Sequence, residues 1–189
     1  MAKGSGFERY ICKLLSKWWT DGKRDDVFWR TAGSGARATI RSKTKKKTFG
    51  QYGDIQATDP IGQPLTDLCT IEIKRGYSKS TFADLIEDST VANAKPCMYA
   101  QFIQQAKEDA RKAGVPYWLL IIKRDRRKEM VIIPHNFSRV LARAICPLKT
   151  RPNVCIQTRK AKYFITSLDN FLFDISPKDI HRITNETKK

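Results

Sequence analysis

Residues 68–74 (LCTIEIK) hold the pair whose types and spacing most directly suggest chemistry, Glu72 and Lys74. A β-strand turns alternate side chains to opposite faces, so Ile71 and Ile73 point one way and Glu72 and Lys74 the other. A carboxylate and an ammonium on an otherwise apolar strand cost desolvation energy unless a metal or a partner compensates. Alone, the pair reads equally well as a weak ion pair on a solvent face. Asp54 shifts the balance. It follows Gly53 at the head of the preceding strand, 18 positions upstream of Glu72, and adjacent strands would bring both carboxylates to one end of the sheet. Two hard oxygen donors suit Mg²⁺, which binds few carboxylates and keeps several waters. Asp54 also fits a turn aspartate at a strand start.

Such a site suits phosphodiester hydrolysis, whose transition state gathers negative charge on the phosphoryl and leaving oxygens. Asp54 and Glu72 would hold one or two Mg²⁺ ions that offset this charge and acidify a bound water. Lys74 would orient that water or stabilise the charge, and with a depressed pKa it could serve as the base.

The elements that must position these residues follow from periodicity. Residues 7–19 carry Phe7, Tyr10, Ile11, Leu14, Leu15 and Trp18 at helical spacing, with Ser5 as the expected N-cap and Glu8 three residues on, as in a capping box. Residues 27–31 read as a strand, and the basic stretch 36–52, with Lys45, Lys46 and Lys47, as a loop. Strands at 54–58 and 68–74 flank the turn-rich DPIGQP. A helix built on Tyr99, Ile103, Ala106, Ala110 and Ala113 ends at Gly114, and strands at 117–123 and 129–133 bracket RDRRK. The order predicts an α/β domain with a central mixed sheet flanked by helices.

Beyond Pro134 the spacing predicts a third helix, short strands near 154–157 and 163–166, a short helix at 167–173 and a polar end. From Arg139 to Tyr163 there are seven basic residues and no acidic one. The expected division is a core over 1–134 and a small basic extension, 135–189, packed on it.

The chain has 189 residues, is 41% hydrophobic and has a formal charge of +17. That apolar fraction supports a core and excludes a wholly disordered basic tail, while the charge favours a polyanion such as nucleic acid. Two histidines leave no room for a His-rich metal site, and five scattered cysteines suggest neither a disulfide framework nor a zinc ribbon. Without a signal-like or membrane-spanning run, the expectation is a soluble cytoplasmic protein, in a bacterial or archaeal cell or a phage-infected host, without a membrane partner.

Four segments in order, GFERYICKLL, FWRTAGSG, GDIQA and TIEIKRG, resemble the PD-(D/E)xK nucleases, and within them most closely the Holliday-junction resolvases of archaea and phages. The helix YAQFIQQAKEDARKAG and the strand YWLLIIK extend the resemblance, which covers roughly residues 4–134. It implies the restriction-endonuclease-like core, with Glu8, Asp54 and Glu72 as the acidic site and Lys74 as the catalytic lysine. It further implies the Ile73 carbonyl as a metal ligand, Ser34 at the site or on a phosphate, Arg30 in the same R-x-AGS element, and Gln105 as the helix glutamine near the active site. Glu8 keeps its alternative as a first-turn helix carboxylate.

The chain departs from the compact archaeal pattern at 36–52 and 78–98, and the first insert either clamps branch arms or adds only non-specific affinity. Candidate DNA contacts are Arg30, Ser34, Arg37, Arg41, Lys45, Lys46, Lys47, Arg75, Arg139 and Arg143, the last two four apart on one helix face. The reading is an endonuclease using Mg²⁺, with Mn²⁺ as a substitute, on branched DNA or a four-way junction. A homodimer would make the paired nicks. A PD-(D/E)xK nuclease with a repair or restriction target, and a catalytically silent DNA-binding protein on the same fold, are the competitors.

Overall fold

The computed structural model describes residues 3–31, 52–90, 95–144 and 152–187. Helix α1 (Lys3–Trp19) buries Phe7, Ile11, Cys12, Leu15 and Trp19 along one face. It begins two residues before Ser5, so Ser5 lies inside the first turn and is not the cap. A cap contributes only about 1 kcal/mol, which continued helical bonding outweighs. Strand β1 (Phe28–Arg30) pairs antiparallel with β2 (Ile55–Ala57), Arg30 opposite Ile55. The expected loop at 36–52 lies outside the described residues apart from Tyr52.

The DPIGQP segment is helical where a turn was expected. Asp59 Oδ1 accepts the Ile61 N–H at 3.0 Å, Pro60 opens a 3-10 turn (Pro60–Gly62), and Pro64 sits in the first turn of α2 (Gln63–Leu68). A proline early in a helix loses no bond, because those N–H groups have no intrahelical partner.

Strand β3 (Cys69–Arg75) follows directly and runs parallel to β4 (Tyr117–Lys123). Between them come α3 (Asp84–Thr90), inside the 78–98 insert, and α4 (Met98–Ala113), which ends at Gly114 with φ of 72°. Strand β5 (Glu129–Pro134) returns antiparallel to β4. Then follow α5 (His135–Ala144), β6 (Asn153–Gln157), β7 (Lys162–Ser167), α6 (Leu168–Asp174) and α7 (Pro177–Thr187). The sheet order is β3-β4-β5-β7-β6, with β3 at one edge, and the fold is the expected α/β class with a mixed sheet flanked by helices.

The segment from residue 135 onward supplies two of the five strands and much of one core. On one sheet face, Ile71, Ile73, Leu119 and Ile121 pack with Phe7 and Ile11 of α1 and with Phe137, Leu141, Leu168, Ile180 and Ile183. Tyr99, Phe102, Ile103 and Ala106 of α4 cover Leu120, Ile122 and Ile132 on the other. Polar contacts also tie the C-terminal segment to the N-terminal part of the chain. Trp18 Nε1 donates to the carbonyls of Leu172 at 2.9 Å and Ile175 at 3.1 Å, and Thr184 Oγ1 donates to the Pro64 carbonyl at 2.9 Å.

The polar end is the helix α7. Only Ile180, Ile183 and Thr184 of its residues are buried, and the Ser176 N–H donates to Asp179 at 3.0 Å to cap its start. Too few apolar residues occur there for periodicity to register. Among the described residues, Cys12, Cys69 and Cys155 are free thiols.

Candidate active site

Strand β3 delivers the carboxylate and the ammonium as its alternation requires, Ile71 and Ile73 into one core and Glu72 and Lys74 to the opposite face. Glu72 is 2% exposed. Lys74 Nζ lies 2.5 Å from its Oε1, and Gln105 Nε2, reaching across from α4, donates to the same oxygen at 2.6 Å. The Lys74 ammonium also stands 5.4 Å from the centre of the Phe102 ring, a distance suited to cation–π attraction.

Asp54 is brought to the free edge of β3 by the glycine before it. Gly53 has φ of 72°, and a Cβ there would meet the Ile71 carbonyl oxygen at 2.9 Å, so both conformation and space require glycine. The Asp54 N–H then donates to the Ile71 carbonyl at 2.8 Å, and its Oδ2 accepts the Ile73 N–H at 2.8 Å. The N–H and C=O of one strand residue face the same side, so the Ile73 carbonyl points to the edge where Asp54 lies. Thr31 braces the turn, donating Oγ1 to the Gly53 carbonyl at 2.8 Å.

Burial pushes Asp54 and Glu72 above the ordinary carboxylate range, and the Asp54 charge raises Glu72 further. Burial alone would depress Lys74. The adjacent Glu72, with Asp54 behind it, outweighs burial and holds the ammonium above its ordinary pKa. That upward shift belongs to the metal-free site; the expectation of a depressed Lys74 pKa is tied to a bound metal.

Asp109 was missed by the sequence reading. It lies one turn beyond Gln105 on α4, where burial raises its pKa while Lys74 and the nearby Gly53 backbone pull it down. One helix face thus reaches Glu72 through Gln105 and the Asp54 turn through Asp109. The i, i+4 spacing from Gln105 was the available signal.

Glu8 stands at this end of α1 but is paired with the Arg30 guanidinium, and its charge contributes to the upward shift of Asp54. Arg30 is thus the counter-ion of Glu8. Among the described residues no group of three His, Cys, Asp or Glu side chains could hold a metal ion. The converging donors are two carboxylates and the Ile73 carbonyl. Hard oxygens in a desolvated site, where the Asp54 charge raises the pKa of Glu72, fit a hard divalent cation with waters completing its shell. Thr70 Oγ1, on the same face of β3, is buried without a hydrogen-bond partner and adds a hard oxygen of the same kind.

Arg75 is exposed, its guanidinium 5.9 Å from the Phe7 ring centre. Arg139 and Arg143 are exposed on α5 but lie at the other end of the sheet. Phe137 of that helix stacks on Tyr117 at 4.3 Å, and Tyr117 pairs with Cys69 where β3 begins. Ser34, Arg37, Arg41, Lys45, Lys46 and Lys47 fall outside the described residues.

Among known proteins, residues 1–182 match the model of a family described as phage putative PDDEXK endonucleases. No curated protein and no solved structure matches the chain. The family match takes in the strands that carry Asp54, Glu72 and Lys74 and continues through the segment beyond Pro134. The chain therefore belongs to the phage PDDEXK endonuclease family, within the PD-(D/E)xK nuclease superfamily.

Proposed function

We infer that the protein hydrolyses DNA phosphodiesters with Mg²⁺ as its working ion and Mn²⁺ as a substitute, and that branched DNA, the four-way junction foremost, is its substrate. The observation that carries the metal-dependent chemistry is the buried Asp54–Glu72 pair, two carboxylates held together beside an ammonium at a strand edge. A divalent ion bound by Asp54, Glu72 and the Ile73 carbonyl would supply charge neutralisation at the phosphate and a more acidic water.

The chain's own residues do the rest. Ile73 N–H fixes the Asp54 carboxylate and Gln105 fixes Glu72, so little reorganisation is needed when charge develops. Lys74 presents a charged donor to the phosphoryl oxygen or to the attacking water, whose oxygen bonds to phosphorus as the bond to the leaving oxygen breaks. Glu8 and Arg30 form a charge pair next to Asp54, where Glu8 can position water and Arg30 a phosphate.

The junction preference is supported by the ordered E-R, R-x-AGS, GD and ExK segments and by the +17 charge. Paired nicks in a junction call for two sites, hence a homodimer, acting in the cytoplasm of a phage-infected host. Equal amounts of labelled four-way junction, flap, splayed and linear duplex, offered with Mg²⁺ or EDTA, test this reading. Symmetric paired nicks in the junction, lost in EDTA, are expected. Equal cutting of linear duplex would remove the junction preference, and tight binding without cleavage in Mg²⁺ or Mn²⁺ would make the protein a silent binder. Glu72→Ala and Lys74→Ala should each lower the rate at least about 100-fold, and wild-type rates would refute the site.

A further inference from the structure

Residues 124–128 (RDRRK), the turn between β4 and β5, set four cations against one acid, Asp125. The turn is shaped. Arg127 N–H donates to the Arg124 carbonyl at 3.1 Å, and Arg126 takes φ of 58°. Residues 125–128 are exposed. The neighbouring acids are largely engaged elsewhere: Glu129 pairs with Lys123, and Asp84, which feels Arg124, accepts from the Thr81 N–H and hydroxyl. Lys128 lies 3.1 Å from Asp169, with both side chains more than 60% exposed, so that pair is easily displaced.

The turn's position gives it meaning. Lys74 pairs with Ile122, and Ile122 with Met130, so the three share the sheet face that carries Glu72. On that face Ile122, Met130, Phe82 and Tyr99 floor a cavity of about 200 Å³, and Arg124, Arg127 and Lys128 complete its lining. Adjacent strands lie ~4.8 Å apart, so the cavity begins about one strand away from Lys74. Cations above an apolar floor are poorly screened from below, which strengthens their hold on an anion.

We propose that this turn is a DNA phosphate clamp. Arg124, Arg127 and Lys128 hold the backbone of the bound strand within one or two nucleotides of the phosphate that faces Lys74. The placement of that phosphate rests on the nuclease reading, whereas the clamp itself rests on charge and geometry. It lies at the end of the sheet opposite Arg139 and Arg143.

The test measures the affinity of a labelled linear duplex in EDTA across a salt series, so that no cutting intervenes. The double variant Arg127→Gln/Lys128→Gln alters exposed side chains and should keep the wild-type melting temperature. It should bind at least about 10-fold more weakly at 0.1 M salt, with the slope of log affinity against log salt reduced by about 2. A matched variant, Lys17→Gln/Lys178→Gln, removes two exposed charges elsewhere and should change the affinity less than about twofold. Equal weakening by both pairs would reduce the effect to net charge and overturn the clamp, as would an unchanged slope in the first. Cleavage in Mg²⁺ is scored separately. A wild type that binds but never cuts refutes the nuclease reading and leaves the clamp standing, and one that cuts while the first variant binds normally refutes the clamp alone.

Discussion

Replacing Asp54 by asparagine should stabilise the metal-free protein at neutral pH while abolishing its cleavage of DNA. Asp54 is 6% exposed, and burial, with Glu8 and Asp109 nearby, raises its pKa from 3.8 to about 6. A carboxyl whose pKa is raised by folding contributes stability that is present below its unfolded pKa and lost as pH rises through the folded one. A rise of about 2 units is worth ~3 kcal/mol at 1.36 kcal/mol per unit. Asparagine keeps an oxygen to accept the Ile73 N–H, so the variant escapes the penalty without losing that bond. With some loss from the altered geometry, the expected gain at pH 8 is about 1–3 kcal/mol, several degrees of melting temperature in a chain of this size. Thermal unfolding of both proteins in EDTA from pH 4 to pH 8 reads it directly. The curves should nearly coincide near pH 4 and separate through pH 6. Mg²⁺ should raise the wild-type midpoint and leave the variant's unchanged. A variant no more stable than wild type at pH 8, or a gap equally large at pH 4, would refute the idea that burial penalises the Asp54 carboxylate in the metal-free protein.

Gly53→Ala should cost about 1–3 kcal/mol, since its Cβ would meet the Ile71 carbonyl at 2.9 Å in a left-handed conformation. It should also lower cleavage more than DNA affinity, as unfolding and filter-binding measurements would show. Asp109→Ala should raise the Mg²⁺ concentration needed for half-maximal cleavage, while Asp109→Asn, which keeps a carbonyl oxygen beside the Gly53 backbone, should restore most of it. An asparagine variant as impaired as the alanine would mean that the Asp109 charge acts directly.

The strand of the candidate site was legible because its charged pair sits in its own period: Glu72 and Lys74 alternate with Ile71 and Ile73, and Gly53 marks where Asp54 begins. Gln105 came from the resemblance. Asp109 was hidden because it comes near the Asp54 turn from more than fifty residues away, and only the packing of α4 against β3 brings them together. The pairing of Glu8 with Arg30 was hidden for the same reason, both having been assigned to the site separately. Helix α7 escaped because only two isoleucines and a threonine mark its buried face, and α2 with the 3-10 turn before it because Pro60 and Pro64 read as turn signals until their places at helix starts are known.

The hydrogen bonds from Trp18 to Leu172 and Ile175 span about 154 residues of sequence, and they set a clock on biosynthesis. At about 5–20 residues per second, the ribosome needs roughly 8–30 s to deliver the partners of the first helix after that helix has emerged. During that interval Ile11, Leu15 and Trp19 lack the C-terminal half of their core, and the Glu8–Arg30 pair rests on an unfinished scaffold. A nascent chain therefore carries the residues of the candidate site on an incomplete core until the segment around Leu172 and Ile175 has been made.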